Sequence, residues 1–577
     1  MTGDGTDTTG RRVLDVDRVE PPAPARPSRR KALIGMGAAA AGAVVAFAPQ
    51  GLDLGSVLFG GLTSTRQGRD RDEQAPQSAG ILGSPDEAAA AAVVDANAPL
   101  PWDPVLHAVS RLTFGATPAL VAEVREVGIS AWIAQQLEPQ TIDDSALDAK
   151  LADLTTLGKS IDELRASAEA NRARGIRPGR EWVEATIARQ IWSRRQLFEV
   201  MVDFWNDFLH VAADIDGGEP VRGPFDRDVI RRYALDNYPD MFVAANRHPA
   251  LLRYLDQDKS RKNAINENLA RENLELYSVG VDGGYTEDDV RQAAILQTGH
   301  SIRDDKYLYR ADQHAVGPVK IMGFEHPNAT AAGGEAAAEA YFRYLALHPS
   351  TARHIARSLA TRLVSDDPPE ALVDAMAQSY LDNNGAIKPM LSTLLCSTRF
   401  WGAVGQKVRR PGEYIVATYR ALGVSPQTPA SFENKDPNTT PFLQGLRQLR
   451  DFLAAVGHSP AGYPTPDGYP DVFVAWTSGG TMIRLWNEAF NIVNGSRKMF
   501  TYRGPAELAG ANPPTTAGEY VEALARTLTS RSLTPGQRDV LLSVAGLPAT
   551  ATVNATLQGA SRAVARAILA SPLHHLR

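Results

Sequence analysis

From residue 104 onward, apolar residues recur every three or four positions, the period of a helix with one face turned inward. Leu120, Val121, Val124, Val127 and Ile129 lead into Trp132, Ile133 and Leu137, and Thr117-Pro118 supplies a helix start. Between Glu181 and His210 the pattern reads as one long element carrying Trp182, Ile187, Ile191, Trp192, Leu197, Phe198, Val202, Trp205 and Leu209. Further helical stretches are predicted at 226–235, 239–256, 265–279, 286–298, 335–347, 350–364, 368–382, 387–404 and 410–421. The series continues at 439–455, 480–494, 516–529, 534–543 and 555–570. Strand signals are few. Lys306-Tyr307-Leu308-Tyr309, paired across a Gly-containing loop with Val319-Lys320-Ile321-Met322, predicts one short β-hairpin. No repeat of fixed period occurs, which disfavours a solenoid. The expected fold is mostly α, a large multi-helix globular body over residues 101–577.

Ahead of the body the pattern changes character. Residues 1–28 hold Asp, Arg and Pro with almost no apolar period and read as disordered. Ser28-Arg29-Arg30-Lys31 then precedes an uncharged stretch from Ala32 to Ala48, the form of a twin-arginine export signal. Residues 1–62 are therefore read as a disordered leader with that signal, and 63–100 as a flexible linker rich in charge, Ala and Pro. The expected location is extracytoplasmic. If cleavage fails beside Pro49, the uncharged run 32–52 remains as a membrane tether.

Composition narrows the class further. The 577 residues are 44% hydrophobic and 22% charged, which is ordinary for a globular chain. A net charge of −6 gives no basis for non-specific nucleic-acid binding. Cys396 is the single cysteine, so no intrachain disulfide forms. Common catalytic motifs are absent: there is no His-Glu-x-x-His, and no Gly-x-Gly-x-x-Gly opens a helix. Gly457-His458-Ser459-Pro460-Ala461 resembles a nucleophile elbow but fails at Ala461. The sequence names neither a metal nor a cofactor.

Candidate chemistry concentrates in three places. On a helix over 266–276, Leu269, Ala270, Leu274, Leu276 and Tyr277 share one arc, and Glu267, Asn268, Arg271, Glu272 and Glu275 the opposite one. That polar arc is either a solvated face laced by i,i+4 pairs or the wall of a cleft. In a cleft, Glu272 and Glu275 serve as general acid and base or as oxygen ligands of a hard cation, beside Asn268 and Arg271. The following Gly280–Val290 stretch predicts a tight turn and a capped helix, with Thr286 as N-cap and Asp289 as its partner. Among eleven histidines, His107, His248, His300 and His314 lie in or beside such segments. His314 falls in the expected hairpin loop Asp312–Gly317. Lastly, Tyr463-Pro464-Thr465-Pro466-Asp467-Gly468-Tyr469-Pro470-Asp471 is a stiff loop presenting two tyrosines. It either lines a carbohydrate or polymer groove or plugs the helical core.

Taken together, these segments resemble the bacterial domain-of-unknown-function family numbered 1800. The likeness runs from His107-Ala108-Val109-Ser110-Arg111-Leu112-Thr113-Phe114-Gly115 through Asp203-Phe204-Trp205-Asn206-Asp207 and His248-Pro249-Ala250. It continues through the acidic helix, Gly280–Val290, His348-Pro349-Ser350-Thr351-Ala352 and Asp366-Asp367-Pro368-Pro369 to the 465–471 loop. The resemblance implies an exported, mostly helical protein with no assigned activity. Its relatives are commonly encoded beside another unassigned family, numbered 1501, that resembles the alkaline-phosphatase superfamily, which implies a partner protein. Many relatives carry a histidine where this chain has Phe208, and His210 lies about 200° away around a helix, too far to replace it. Two functional expectations follow. The first is an exported binding or assembly partner of another exported protein, with Asn268, Arg271, His107 and Tyr469 in its binding surface. The second is a hydrolase of an envelope polymer or ester, with Glu272 and Glu275 catalytic and His314 assisting.

Overall fold

The computed structural model describes residues 78–215, 217–426, 439–497, 499–510, 514–553 and 555–577. The leader, the export signal and the 32–52 run lie outside the described residues. Within them the architecture is helical, with two small antiparallel sheets, as the apolar period predicts.

Two helices form the centre. Pro178–Trp192 and Pro411–Ala421 are buried on nearly every side, so neither shows a solvent face. They pack on each other, and the first also packs on Pro441–Ala455. The single long pattern expected between Glu181 and His210 is in fact two helices, Pro178–Trp192 and Gln196–Phe208. Polar side chains impose the break. The Gln196 amide donates to the carbonyls of Gln190 (3.2 Å) and Ser193 (2.9 Å), occupying acceptors that a continuing helix would use. From outside, the Asp144 carboxylate takes the Ser193 hydroxyl (2.6 Å) and the Arg194 N–H (2.9 Å).

The acidic segment forms a shorter helix than expected, Asn268–Glu275. The chain then reverses through glycines 280 and 284, both at positive φ, into the helix Glu287–Leu296. Thr286 and Asp289 make the reciprocal capping box, and the two helices pack side by side.

The hairpin expectation needs correction. Strand β1 (His300–Arg303) pairs with β2 (Lys306–Tyr309), and β3 (Val319–Ile321) pairs with β4 (Phe324–His326). Each strand thus joins its nearest neighbour, and 306–309 does not pair with 319–322. The turns explain it: Asp304 and Asp305 both have positive φ (55° and 57°), as do Met322 and Gly323 (48° and 89°). Two consecutive left-handed residues are the tightest hairpin connection, and its twist matches that of the strands.

A second correction concerns residues 78–100, read from composition as the end of a linker. The Leu82 N–H donates to the Cys396 carbonyl (2.9 Å), and Ile81 bridges Ser397. Ser84 caps the helix Pro85–Ala90, whose Ala88 and Ala89 enter the main core. Leu100 joins a satellite core with Val404, Val408, Leu573 and Leu576. Alanine presents little surface, which hides a packing face in the sequence while allowing close approach in the fold. A chain beginning at residue 101 is therefore expected to melt about 3 °C or more below one beginning at 78, as measured by calorimetry. Equal melting would restore the linker reading.

Candidate functional site

On the Asn268–Glu275 helix, Glu272 lies within electrostatic reach of Asp467 in the 463–471 loop, nearly two hundred residues later in the chain. Leu269, Ala270 and Leu274 are buried behind it, and Asn273 donates to Asn246 Oδ1 (2.7 Å) and Gln297 Oε1 (3.2 Å). Glu272 is half-buried, with Glu275 on its own helix and Asp467 of the loop as charged neighbours. Burial first, then repulsion from those two carboxylates, pushes its carboxyl up to about 7, while Arg271 offsets only part of the rise. Tyr254 ties to the same loop, its hydroxyl donating to the Pro464 carbonyl (3.2 Å). Burial and the charges of Asp467 and Glu272 raise the Tyr254 phenol. At the other end burial, then the charge of Glu275, raises the Tyr285 phenol. Arg271 is committed outward, with Nη1 2.9 Å and Nη2 2.7 Å from the Glu287 carboxylate.

The other residues singled out from sequence divide. Tyr469, in the same loop, turns its side chain into the core, its hydroxyl donating to the Ser459 carbonyl (2.9 Å). Asn268 is exposed, and its amide reaches the Leu255 carbonyl at 3.4 Å. His314 is not brought to the glutamates: it is buried, with Nδ1 2.8 Å from the Thr298 carbonyl and Nε2 2.7 Å from Asn328 Oδ1. His107 is buried as well, Nε2 lying 2.9 Å from the Phe400 carbonyl against the rings of Phe400 and Trp401. Burial, then Arg111, drives its basicity far below the ordinary histidine range. Both histidines hold the scaffold. Phe208 stacks near Phe204 and packs against Tyr238 and His354, while His210 binds the Tyr463 carbonyl at 2.8 Å.

Behind the loop lies a charge network that sequence reasoning missed. Asp203 and Asp207 stand one turn apart on Gln196–Phe208. The Arg410 guanidinium spans both and also bonds Glu413, one turn into its own helix. Arg362 reaches Asp203 (2.7 Å), Glu413 and Asp471 (3.2 Å). Lys407 bridges Asp366 (2.7 Å) and Asp471 (3.2 Å). The Arg362, Arg410 and Glu413 side chains are 2–3% exposed. Burial pushes the Asp203 and Asp207 carboxyls up, against the pull of Arg410 and Arg362. Glu413, held by Arg362, Arg577 and Arg410, stays well below the usual carboxylate range despite its burial. The one advance signal was Asp203 and Asp207 at i,i+4 inside an aromatic segment, two acids on a face that otherwise reads as core.

Among the described residues no three His, Cys, Asp or Glu side chains are placed to hold a metal ion. Nor is any helix among them long and apolar enough to cross a membrane. A family model described as "Protein of unknown function (DUF1800)" matches residues 107–576. No curated protein and no solved structure matches the chain.

Two outcomes test this geometry. Arg410→Ala leaves buried carboxylates without their cation, at an expected cost of about 3–5 kcal/mol in urea unfolding; a cost under 1 kcal/mol would show the network to be dispensable. Glu272 behaves in the opposite sense. Between about pH 4.5 and 7 the folded protein keeps a proton there that the unfolded chain has released, so ionisation costs stability as pH rises through that window. Glu272→Gln should therefore gain about 1 kcal/mol over the parent at pH 8, after allowance for solvent screening, and nothing near pH 4.5. An equal difference at both pH values would place the carboxyl in open water.

Proposed function

The chain belongs to the family of proteins of unknown function DUF1800, and we propose that it acts outside the cytoplasmic membrane as a binding partner for a cationic segment of another exported protein. The seat is the groove between the Asn268–Glu275 helix and the 463–471 loop. One observation carries this reading: Glu272 is raised to about 7 by burial first and then by the charges of Glu275 and Asp467, which the fold holds within reach of it. A protonated lysine or arginine side chain entering there relieves that repulsion, with Tyr254 and Tyr285 as neighbours of the two glutamates. Export rests on Arg29-Arg30 ahead of the uncharged Ala32–Ala48 run.

The same carboxyl supports a second reading. An acid that titrates near neutrality suits general acid catalysis, with Glu275 beside it, which is the arrangement a hydrolase of an envelope polymer or ester needs.

Titration of the intact protein with a short lysine- and arginine-rich peptide separates the two. Binding is expected to weaken as pH falls below 7 and as salt rises, and to drop about tenfold in Glu272→Gln with Asp467→Asn. Equal affinity in parent and double variant would overturn the docking role. Turnover of a glycan or ester lost in Glu272→Gln, without peptide binding, would favour the hydrolase. Replacing Arg29 and Arg30 by Lys should leave the protein inside the cytoplasmic membrane; unchanged export would refute the signal.

A further inference from the structure

The stretch that leads into the acidic helix carries the opposite charge. Between Ser260 and Asn266 the chain makes a closed turn. Arg261 and Ala264 exchange backbone hydrogen bonds (3.1 and 2.8 Å), and the Asn266 N–H donates to Ser260 Oγ (3.1 Å). The Lys262 N–H donates to the Gln313 carbonyl (2.8 Å), which ties the turn to a neighbouring loop. Arg261 and Lys262 are exposed, and among the described residues neither has a carboxylate at ion-pair distance. Asp256 and Glu267, on either side of the turn, are taken by Lys259 (2.5 Å) and Arg271 (3.5 Å). Two free cations are thus held on a backbone that is fixed before any partner arrives.

Glu272 and Glu275 stand in the last turn of the Asn268–Glu275 helix, about 10–15 Å from the basic turn at 1.5 Å per residue. Carboxylates there oppose the helix macrodipole, whose negative end is the C-terminus. Arg271, on the same helix, is engaged by Glu287 and Glu267. The segment therefore runs from unpaired positive charge to crowded negative charge, an order that does nothing for the stability of its own helix. Two exposed apolar residues flank it: Ile265 just before the helix, 40% exposed, and Val281 in the turn that follows, 43% exposed.

We propose that two copies of this chain pair through this segment about a two-fold axis, with Arg261 and Lys262 of each copy against Glu272 and Glu275 of the other. A row of charge that changes sign along its length is its own complement when turned end for end. The spacing then matches by symmetry, and an isologous contact makes every favourable pair twice. A cationic peptide meets the acids and leaves the basic turn unpaired; an anionic surface meets the turn and is repelled by the acids. The same reversal brings Ile265 of one copy toward Val281 of the other, which adds apolar contact at each end. This inference rests on the docking reading of Glu272 and Glu275, and it names a second copy as the exported protein that supplies the cations.

Sedimentation velocity of the intact chain over a concentration series tests it. A small contact led by charge predicts a monomer–dimer equilibrium with Kd of about 10–100 μM at low salt, weakening as salt rises. Arg261→Glu with Lys262→Glu, and separately Glu272→Lys with Glu275→Lys, should each weaken self-association about tenfold or more. Mixed in equal amounts, the two variants should dimerise again, since each then meets the charge it lost; a variant that had merely misfolded could not be rescued so. A parent that stays monomeric up to about 200 μM, reversed variants that pair like the parent, or a mixture that stays monomeric would each overturn the proposal. If the monomeric parent still binds the lysine- and arginine-rich peptide, the docking reading stands and only the pairing falls; if it binds neither, both fall.

Discussion

Everything described in this protein hangs on the Arg410 guanidinium lying between Asp203, Asp207 and Glu413. Buried charge is tolerated only when each ion finds opposite charge and hydrogen bonds at close range. Arg410, Arg362 and Lys407 meet that condition with carboxylates drawn from four separate stretches of chain. The network therefore acts as a registry device. A helix shifted by one residue would strand an arginine in a medium where an unpaired ion is far less stable than in water. That demand fixes Gln196–Phe208 against Pro411–Ala421, and through Asp471 it fixes the end of the 463–471 loop.

One rigid strap, the 463–471 loop, links the acidic groove to the buried charge network. Prolines 464, 466 and 470 limit its backbone. Asp467 faces the acidic groove, Tyr469 faces the core, and Asp471 is locked by Lys407 and Arg362. Between them Gly468 adopts a positive φ of 64° directly over the Asp207 carbonyl, where any side chain would collide. A glycine is thus required on two separate grounds, conformation and space. Tyr469 is buried, as the plug reading of this loop expects, while its neighbour two residues back, Asp467, is exposed.

Local chemistry was legible in the sequence and long-range pairing was not. Apolar period gave the helical class, and the Thr286–Asp289 cap was readable because its partners are three residues apart. The burial of Glu272 could only be set out as one of two alternatives, since its distant neighbour Asp467 lies 195 positions later. Asp203 bonds Arg362 across 159 positions and Arg410 across 207, and at that separation an aspartate and an arginine each look like surface residues. The hairpins failed for a related reason: Asp304-Asp305 and Met322-Gly323 are not the Asn-Gly pairs that announce a tight turn. His314 drew attention through its loop position, which says nothing of Thr298 and Asn328 waiting beside it.

The 207-residue separation between Asp203 and Arg410 also governs the order of assembly on the ribosome. While the chain emerges, Gln196–Phe208 must wait for more than two hundred further residues before its two acids meet their counter-ion, and for Asp471 after that. During synthesis this amphipathic stretch carries exposed Phe, Trp and Val beside unneutralised charge, a state of high contact order that closes late. The nascent protein thus passes through a long interval in which its centre is open.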